Sequence, residues 1–362
     1  MSDQARPLVV VAMSGGVDSS VAAALLVHQG YQVVGMTLRL WSEEHGPDAT
    51  RENRCCSLES VEDARRVCYD LGVPHYIINV EQQFKRAIVD HFIDAYANGT
   101  TPNPCVRCNK YIKFGALWQH AEAIGAELLA TGHYARVERD PTTGEASLLR
   151  GLDRRKDQSY ALSKLSQAQL RRSFFPLGQF TKEQTRAAAA THGIDIAAKP
   201  ESQELCFVTS DDYRAFLRRQ LPVLPTSGPI KDEGGALVGT HTGMTDYTVG
   251  QRKGLGISAK TPLFVTRLDA ATNTVVVGKG SSLQKQEITA VDCSFTESQA
   301  PTGPTRISAQ IRYHAVEHPA TLEPRDARSV TVRFDEPQRA VSPGQAIVFY
   351  QGERVLGAGD IA

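Results

Sequence analysis

The sequence predicts a multidomain protein: an N-terminal α/β domain built on a doubly wound parallel sheet, then two small β-rich domains of barrel or sandwich architecture. Three observations predict this. The chain has 362 residues, which is too long for one ordinary core. Apolar runs alternate with helix-like segments over its first part, as in repeated β–α units. After about residue 214 helical periodicity disappears, and short Val/Ile/Thr-rich runs follow between turn residues.

The elements of the first part justify the parallel sheet. The run Leu8–Met13 is continuously apolar, which suits a strand buried on both faces. Val17–Gln29 is helical in composition and Gly30 closes it, and Tyr31–Trp41 is the next strand. Further units are a helix over 60–71 that starts at a capping-box-like Ser60, a strand over 73–80, helices around 84–95 and 112–124, and a strand over 128–131.

The second part reads as strands only. Candidate strands are Asn273–Val277, Arg306–Tyr313, Ser329–Phe334 and Ala346–Tyr350. Prolines and glycines around 222–229 and a second break near 281–288 suggest the boundaries. We therefore expect domains over 1–213, 214–284 and 285–362.

The composition and charge of the chain limit which classes of protein it can belong to. Hydrophobic residues are 41% and charged residues 22%, an ordinary globular balance. No apolar run near the start could cross a bilayer and no secretory signal opens the chain, so we expect a cytoplasmic protein without membrane contact. The net charge is zero, but the stretches 136–172 and 213–260 are basic. They would suit a polyanionic partner if they share one face, although scattered solvated charge is the alternative.

A phosphate-binding loop follows the first strand. Ser14-Gly15-Gly16-Val17-Asp18-Ser19-Ser20 lies between a buried strand and a helix. Glycines let the backbone approach phosphate oxygens, and a helix N-terminus offers N–H groups and a positive dipole. The loop lacks the lysine of a Walker A motif and resembles the pyrophosphate loop of ATP pyrophosphatases. Asp18 would hold Mg²⁺ there; the alternative is a glycine-rich turn without a ligand.

The seven cysteines differ in what their positions indicate. The loop Thr101–Lys110 contains Cys105 and Cys108, and Cys206 follows far downstream. Basic neighbours and a nearby helix N-terminus favour the thiolate of Cys108. Three interpretations of Cys105, Cys108 and Cys206 remain open. They are a chance CxxC spacing with a buried cysteine, a metal site that is one ligand short of a closed zinc site, and a pair of thiols that handle sulfur. Cys68 and Cys293 are expected in the core, and Cys55 and Cys56 are structural or incidental.

The chain resembles the tRNA-specific 2-thiouridylases over essentially its whole length. The residues that carry this resemblance are Met13–Ser20, Thr101–Lys110 with Phe114, Ala130–Tyr134, Lys156–Tyr160, Ser202–Phe207, His241–Gly243, Tyr247–Gly256, Arg312-Tyr313 and Gly344-Gln345. This resemblance implies an ATP pyrophosphatase domain of the HUP type, a small central β-rich domain and a last domain that is a β-barrel. It also implies a sulfurtransferase that makes 2-thiouridine at the wobble position of tRNA. ATP would adenylate O2 of the uracil, and a cysteine persulfide would deliver sulfur to C2.

The resemblance also implies site residues. Cys206 resembles the persulfide carrier and Cys108 the nucleophile, and the two would close a disulfide to release the product. Nucleotide-binding positions are Ala12, Met13, Ser14, Gly15, Gly16, Val17, Asp18, Ser19, Leu38 and Gly132. Positions for tRNA or the target base are Asn103, Pro104, Cys105, His133, Lys156, Asp157, Gln158, Arg312, Tyr313 and Gln345. The partners implied are the anticodon region of tRNA and an upstream protein that donates persulfide sulfur. The cofactors are ATP and Mg²⁺, with no resident metal at the cysteines.

One departure from the family pattern, one alternative role for the cysteines and two alternative functions accompany this prediction. Many relatives carry aspartate where this chain has Cys105, so a different role for Cys105 is open, and ligation of an iron–sulfur cluster by Cys105, Cys108 and Cys206 is the less favoured alternative. On the same loop, the alternative enzyme is an ATP-driven amide or amidine synthetase. A non-catalytic RNA-binding protein is the third hypothesis.

Overall fold

The computed structural model describes residues 6–42, 57–194, 205–208, 212–221, 226–296 and 300–362. Cys55, Cys56 and the segment 202–204 lie outside these residues. Within the described ranges, no helix is long and apolar enough to cross a membrane.

The N-terminal domain is built on a five-stranded parallel sheet. Its strands are β1 (Leu8–Ala12), β2 (Gln32–Arg39), β3 (His75–Asn79), β4 (Leu128–Ala130) and β7 (Ser173–Phe174). Between β4 and β7 the chain forms a hairpin of β5 (Ala135–Arg139) and β6 (Ala146–Arg150). The sheet has the order β3-β2-β1-β4-β7 and every pairing in it is parallel. The chain leaves β1 towards β2 on one side and returns to β4 on the other. A switch point of this kind places ligands outside the carboxyl ends of β1 and β4.

Helices cover both faces of this sheet, which confirms the doubly wound prediction. They are α1 (Val17–His28), α2 (Leu58–Asp70), α3 (Glu81–Phe84), α4 (His91–Ala97), α5 (Pro104–Cys108), α6 (Leu117–Ala123), α7 (Ser159–Leu162), α8 (Gln167–Arg171), α9 (Lys182–Thr191) and α10 (Tyr213–Gln220). Val9 and Val11 of β1 pack in the cluster of buried residues that contains α1 and α2. Val10, between them, packs in the cluster of Phe114 and Leu117. Strand alternation therefore divides the core into two layers.

Two helix starts differ from the sequence prediction. Helix α2 begins before Ser60, because the side chain of Ser57 accepts a hydrogen bond from the Ser60 N–H at 3.2 Å and so caps the helix. The predicted loop before residue 112 is already helical from Pro104, where Asn103 caps the chain and proline occupies the first turn. π-helical segments, Lys85–Asp90 and Asn109–Ala116, join α3 to α4 and α5 to α6.

The central domain is a four-stranded sheet. Its strands are β8 (Gly228–Asp232), β9 (Leu237–His241), β10 (Phe264–Asp269) and β11 (Thr274–Gly278), in the order β10-β11-β8-β9. Ile230, Val265, Val275 and Val277 form its small core. Helix α10 precedes this sheet, yet its Phe216 packs in the core of the N-terminal domain. The helix thus lies at the junction of the two domains, and the boundary at 213/214 stays a prediction.

The C-terminal domain is a closed antiparallel barrel, as predicted. Its six strands are β12 (Gln284–Phe295), β13 (Thr305–Gln310), β14 (His318–Asp326), β15 (Ser329–Arg339), β16 (Ala346–Gln351) and β17 (Arg354–Ile361). Pairing of β12 with both β15 and β17 closes the ring. Residues such as Val332, Phe334 and Phe349 fill the interior. Each of the six strands is thus paired with two neighbours in the barrel.

The barrel is joined to the N-terminal domain by a shared sheet edge. The hairpin β5–β6 of the N-terminal domain extends the barrel sheet, since Leu149 of β6 pairs with Arg354 of β17. Lys164 of the N-terminal domain is buried and forms ion pairs with Asp292 at 3.2 Å and Asp360 at 2.8 Å. Because these contacts link distant parts of the sequence, they were not predictable from periodicity.

Candidate active site

The loop Ser14–Ser20 lies at the carboxyl end of β1 and opens α1, as predicted. Gly15 has φ +69°, and a Cβ there would overlap the carbonyl oxygen of Ser60. No side chain caps α1. The hydroxyl of Ser19 accepts from the Ser14 N–H at 3.2 Å and donates to the Gly16 carbonyl at 3.0 Å. The loop is therefore held in a tight turn by its own serine, with the helix N-terminus directed towards a ligand position.

The predicted nucleotide positions meet at this point. Ala12 and Met13 end β1, and the Met13 N–H donates to the Met36 carbonyl of β2 at 2.8 Å. Gly132 follows β4, where a Cβ would stand 2.7 Å from the Ser19 nitrogen. Leu38 lies near the end of β2 and is partly buried. The start of α1 and the ends of β1, β2 and β4 thus form one edge of the sheet, where ligands of such folds bind.

Lys182 is a site residue that the sequence reasoning missed. Its ammonium donates to both carboxylate oxygens of Asp18, at 2.7 and 2.9 Å. The Lys182 side chain is 7% exposed and that of Asp18 31%. Tyr134 donates its hydroxyl to Asp18 at 2.9 Å. The sequence around Lys182 shows only a helix start, Thr181 with Gln184 three residues later, so nothing pointed to its role.

Asp18 fits a magnesium site in part. Mg²⁺ on a nucleotide usually needs only one or two protein carboxylates, with phosphate oxygens and water completing its shell. Asp18 supplies such a carboxylate at the mouth of the phosphate loop. Both of its oxygens accept from Lys182, so a bound Mg²⁺ would share Asp18 with this lysine or displace it.

Helix α5 carries the first two candidate thiols, Cys105 in its first turn and Cys108 as its last residue. The side chain of Asn103 caps the helix by accepting from the Val106 N–H at 3.2 Å. Cys105 is exposed and Cys108 is half-buried. The Arg107 guanidinium donates to the Ala87 carbonyl at 3.2 Å, which ties this helix to the π-helical segment Lys85–Asp90. A helix N-terminus beside a basic residue is the environment that favours a thiolate.

Cys108 and Cys206 belong to the same apolar cluster. Both pack against buried side chains that include Phe84, Phe92 and Phe207, and Leu38 packs there as well. Cys206 is half-buried, next to Phe207, which is 2% exposed. Aromatic contacts fix this cluster, with ring centroids of Phe92 and Phe207 5.2 Å apart. The two predicted catalytic thiols therefore pack against one buried cluster of the N-terminal domain, although they are distant in sequence.

The remaining described cysteines lie in the core, and none of the described cysteines forms a metal site. Cys68 and Cys293 are buried, as predicted, and burial raises the pKa of the Cys68 thiol to about 11 and that of Cys293 to about 12. They are protonated packing groups at neutral pH. Among the described residues, no group of three or more Cys, His, Asp or Glu side chains could hold a metal ion. Cys105, Cys108 and Cys206 therefore do not converge as a three-thiol ligand set in this conformation.

Several predicted tRNA positions lie around Tyr160. Its hydroxyl donates to the Ala346 carbonyl at 2.8 Å, and the side chain of Asn103 is a hydrogen-bonding neighbour. The ring of exposed Tyr313 lies 5.7 Å from that of Tyr160. Gln345 donates to the carbonyls of Thr101 and Pro102. Thus Asn103, Tyr313 and Gln345, which come from two domains, surround the approach to α5.

Other predicted tRNA positions are engaged inside the protein. His133 is buried and shares a hydrogen bond of 2.6 Å with Thr131. Burial, with a smaller effect from Lys113, holds the pKa of His133 well below its usual range. Asp157 accepts from the Gly151 and Ser159 N–H groups at 2.9 and 3.0 Å. The Gln158 side chain accepts from the Tyr134 N–H at 3.0 Å, and Lys156 stands partly exposed beside them.

The basic stretch 136–172 is partly used within the chain. Arg136 pairs with Glu353 at 2.9 Å, and Arg154 contacts the same carboxylate. Arg150 is buried, pairs with Asp157 at 3.2 Å and lies over the Tyr350 ring. These arginines join the hairpin β5–β6 to the barrel. Outside this stretch, Arg252, Lys253 and Arg312 are exposed, and Arg312 donates to the Arg339 carbonyl at 3.2 Å.

Comparisons with known proteins agree with this architecture. Three family models match consecutive parts of the chain: a tRNA methyl transferase HUP domain over 7–210, a tRNA methyl transferase PRC-barrel domain over 214–279, and an aminomethyltransferase beta-barrel domain over 285–361. Among solved structures, the U34-tRNA thiolase NcsA of Methanococcus maripaludis, described with its [4Fe-4S] cluster, is 17% identical with a TM-score of 0.34, over 60% of this chain and 69% of that one. Similarity this remote carries no conclusion about chemistry.

Several curated proteins have much higher sequence identity to this chain. The tRNA-specific 2-thiouridylase MnmA of Heliobacterium modesticaldum is 48% identical over 98% of this chain and 92% of its own length. The protein of the same name from Roseiflexus is 48% identical over 98% of this chain and 99% of its own. That from Magnetococcus marinus is 48% identical over 97% and 98%. The chain therefore belongs to the tRNA-specific 2-thiouridylase family.

Proposed function

We propose that the protein is a tRNA-uridine 2-sulfurtransferase that uses ATP and a cysteine persulfide to make 2-thiouridine at the wobble position. One observation carries this proposal most directly. Cys108 and Cys206 pack on one apolar cluster together with Leu38, whose strand ends at the nucleotide edge of the sheet. Replacement of an oxygen by sulfur requires a group that adenylates the oxygen and thiols that deliver sulfur, and this domain contains both.

Adenylation is the first step. Uracil O2 attacks the α-phosphorus of ATP, a P–O bond forms, and the bond to the β-phosphate breaks. N3 of the uracil gives its proton to solvent in this step and regains one when the thiocarbonyl forms. The N-terminal N–H groups of α1 and the Ser14 hydroxyl, which stands at the exposed face of the loop, receive the departing pyrophosphate. Lys182 supplies a positive charge beside Asp18 at the mouth of the same loop. When bound, Mg²⁺ neutralises charge on the phosphates.

Sulfur transfer is the second step. The terminal sulfur of a persulfide on Cys206 attacks C2 of the adenylated base, a C–S bond forms, and AMP departs with the former O2. The thiolate of Cys108 then attacks the inner sulfur of Cys206. The S–S bond to the transferred sulfur breaks, thiocarbonyl sulfur stays on C2, and a Cys108–Cys206 disulfide remains. An upstream protein supplies the next persulfide sulfur, and two thiol equivalents reduce the disulfide.

The base must leave the anticodon stack to reach this site. Tyr313 is exposed beside Tyr160 and offers a ring on which a nucleotide base can stack. Arg312 is exposed next to it and offers a contact to phosphate. Cys105 stands exposed on the first turn of α5, where the target base would approach. We place it at the edge of the base pocket, without a ligand role.

The experiment is nucleoside mass spectrometry of tRNA after incubation with the protein, ATP, Mg²⁺ and a persulfide donor. We expect 2-thiouridine that depends on ATP and appears only in wobble-uridine tRNAs. AMP release without RNA, stimulated by ammonia or an amino acid, would favour an amide or amidine synthetase instead. Binding of tRNA without any ATP turnover would favour a non-catalytic RNA-binding protein.

The same reaction tests the iron–sulfur alternative. Protein prepared without oxygen should be colourless and iron-free and should thiolate fully. Activity that rises and falls with bound iron and visible absorption would instead assign Cys105, Cys108 and Cys206 to a cluster.

A further inference from the structure

The C-terminal barrel touches the loop that leads into α5 at one short segment. This segment, Pro343–Ala346, lies between β15 and β16 and is called the barrel latch here. The Gln345 amide nitrogen donates to the carbonyls of Thr101 at 3.0 Å and Pro102 at 3.1 Å. In the opposite direction, the Thr101 N–H donates to the Pro343 carbonyl at 2.8 Å. Three hydrogen bonds thus connect two residues of the loop to the barrel.

The latch is held firmly on the barrel side. The Gly344 N–H donates to the carbonyl of Ile361, and the Ile361 N–H donates to the carbonyl of Gln345, at 2.8 and 2.9 Å. Gly344 has φ +88°, and a Cβ there would stand 3.0 Å from both the nitrogen and the oxygen of Thr101. Only glycine allows so close an approach without moving the loop.

The loop side leads directly to the candidate thiols. Pro102 is buried, Asn103 caps α5, and Cys105 and Cys108 follow within its five residues. A shift of the carbonyls at 101 and 102 therefore shifts the start of the helix that carries Cys108. Tyr160 adds a parallel link, since it bonds to the Ala346 carbonyl and neighbours Asn103.

We propose that the barrel latch positions the α5 thiols for catalysis and that Gln345 is a positioning residue, acting through the backbone of Thr101 and Pro102. This inference rests on the proposed sulfur transfer. It assigns the C-terminal barrel a part in the chemistry besides any part in holding RNA. The side chain of Gln345 acts as a hydrogen-bond donor to two carbonyls, so its donor capacity is the property that matters.

The test compares variants of Gln345 in the full chain. Gln345→Ala removes both donors, and Gln345→Glu replaces them with a carboxylate that faces two carbonyl oxygens. Gln345→Lys restores a donor through an ammonium group. Misplacing a reacting group by about an ångström lowers rates by up to about 100-fold. We expect kcat for thiolation to fall about 10- to 100-fold in Gln345→Ala and Gln345→Glu and to recover partly in Gln345→Lys, with the KM for tRNA within about twofold.

A second readout separates positioning from a general loss of structure. Site-resolved alkylation of Cys108 and hydrogen exchange at the Thr101 N–H should both change several-fold in Gln345→Ala. The melting temperature and persulfide loading of Cys206 should stay near those of the wild type. Gly344→Ala, which crowds Thr101 while keeping Gln345, should reproduce the kinetic defect. Gln351→Ala, an exposed glutamine on the same barrel, is the matched control and should behave as wild type.

The outcomes are distinct. A raised KM for tRNA with unchanged kcat and unchanged alkylation would overturn the proposal and make Gln345 a plain RNA contact. Equal activity of Gln345→Glu and wild type would overturn it as well. If the wild type itself makes no 2-thiouridine, the proposed function fails; the alkylation and exchange experiments still report whether the latch holds the loop.

Discussion

Replacement of Asp18 by asparagine leaves the ammonium of Lys182 buried without its carboxylate. Removing one partner of a fully buried ion pair costs about 3–5 kcal/mol. Here the Lys182 side chain is 7% exposed but that of Asp18 is 31% exposed, so solvent screens part of the interaction. We therefore expect Asp18→Asn to lower the free energy of unfolding by about 2 kcal/mol. The cost arises from loss of the negative charge beside the Lys182 ammonium, because the amide can still accept from Tyr134.

A double-mutant cycle tests this origin. Lys182→Met keeps most of the side-chain volume and removes the charge. The double variant Asp18→Asn/Lys182→Met should therefore regain at least about 1 kcal/mol relative to Asp18→Asn alone. Pyrophosphate release from ATP and tRNA should be lost in both, since neither restores the phosphate site.

Urea unfolding measures the free energy of unfolding of each variant. The data are fitted with one common slope of free energy against urea concentration. The control is Asp90→Asn, which breaks the exposed Lys85–Asp90 pair and should change stability by less than about 0.5 kcal/mol. An Asp18→Asn protein as stable as the wild type, or a double variant no more stable than the additive expectation, would refute the reasoning.

Three further predictions address the remaining parts of the site. Cys206→Ser should release pyrophosphate from ATP and tRNA in a single turnover at the wild-type rate yet make no 2-thiouridine from a persulfide donor, because a hydroxyl cannot carry sulfane sulfur; thiolation by this variant would disprove the carrier role. Binding of tRNA should weaken steeply with salt, and Lys156→Glu should weaken all tRNAs alike and lower the slope of log affinity against log salt by about one, so a flat dependence would remove the basic stretches from the interface. The depressed pKa of His133 means that the folded state binds fewer protons than the unfolded state below the ordinary value of 6.5. Stability should hence fall as the pH drops below about 6.5, by up to about 1.4 kcal/mol per pH unit, and His133→Asn should reduce this slope in unfolding experiments at several pH values; an unchanged slope would show that His133 does not contribute.

The parts of the fold set by local pattern were predictable. Apolar runs and glycine stops located β1, α1 and β2 to within two residues, because burial on both faces leaves a continuous hydrophobic signal. Short Val/Ile/Thr-rich runs between turn residues likewise predicted the all-β second part, and the resemblance predicted that its last domain is a barrel. The helical start at Pro104 was missed because two prolines read as a rigid loop, whereas proline also suits the first turn of a helix.

The parts that depend on distant contacts were not predictable. The pairing of Lys182 with Asp18 joins residues far apart in sequence, and a single lysine on a helix gives no signal of its partner. The burial of Asp157 and Arg150 arises because the hairpin β5–β6 extends the barrel sheet, a long-range pairing. Gln345 was identified only through the family resemblance. Its contact with Thr101 depends on how two domains meet.

The most direct test of the account follows one oxygen atom. A tRNA is transcribed with ¹⁸O at O2 of its uracils and incubated with the protein, unlabelled ATP, Mg²⁺ and a persulfide donor. If O2 is adenylated and then displaced by sulfur, each 2-thiouridine formed releases one AMP whose phosphate carries ¹⁸O. AMP without ¹⁸O, formed alongside 2-thiouridine, would contradict adenylation of the base and with it the assignment of the Ser14–Ser20 loop to this chemistry.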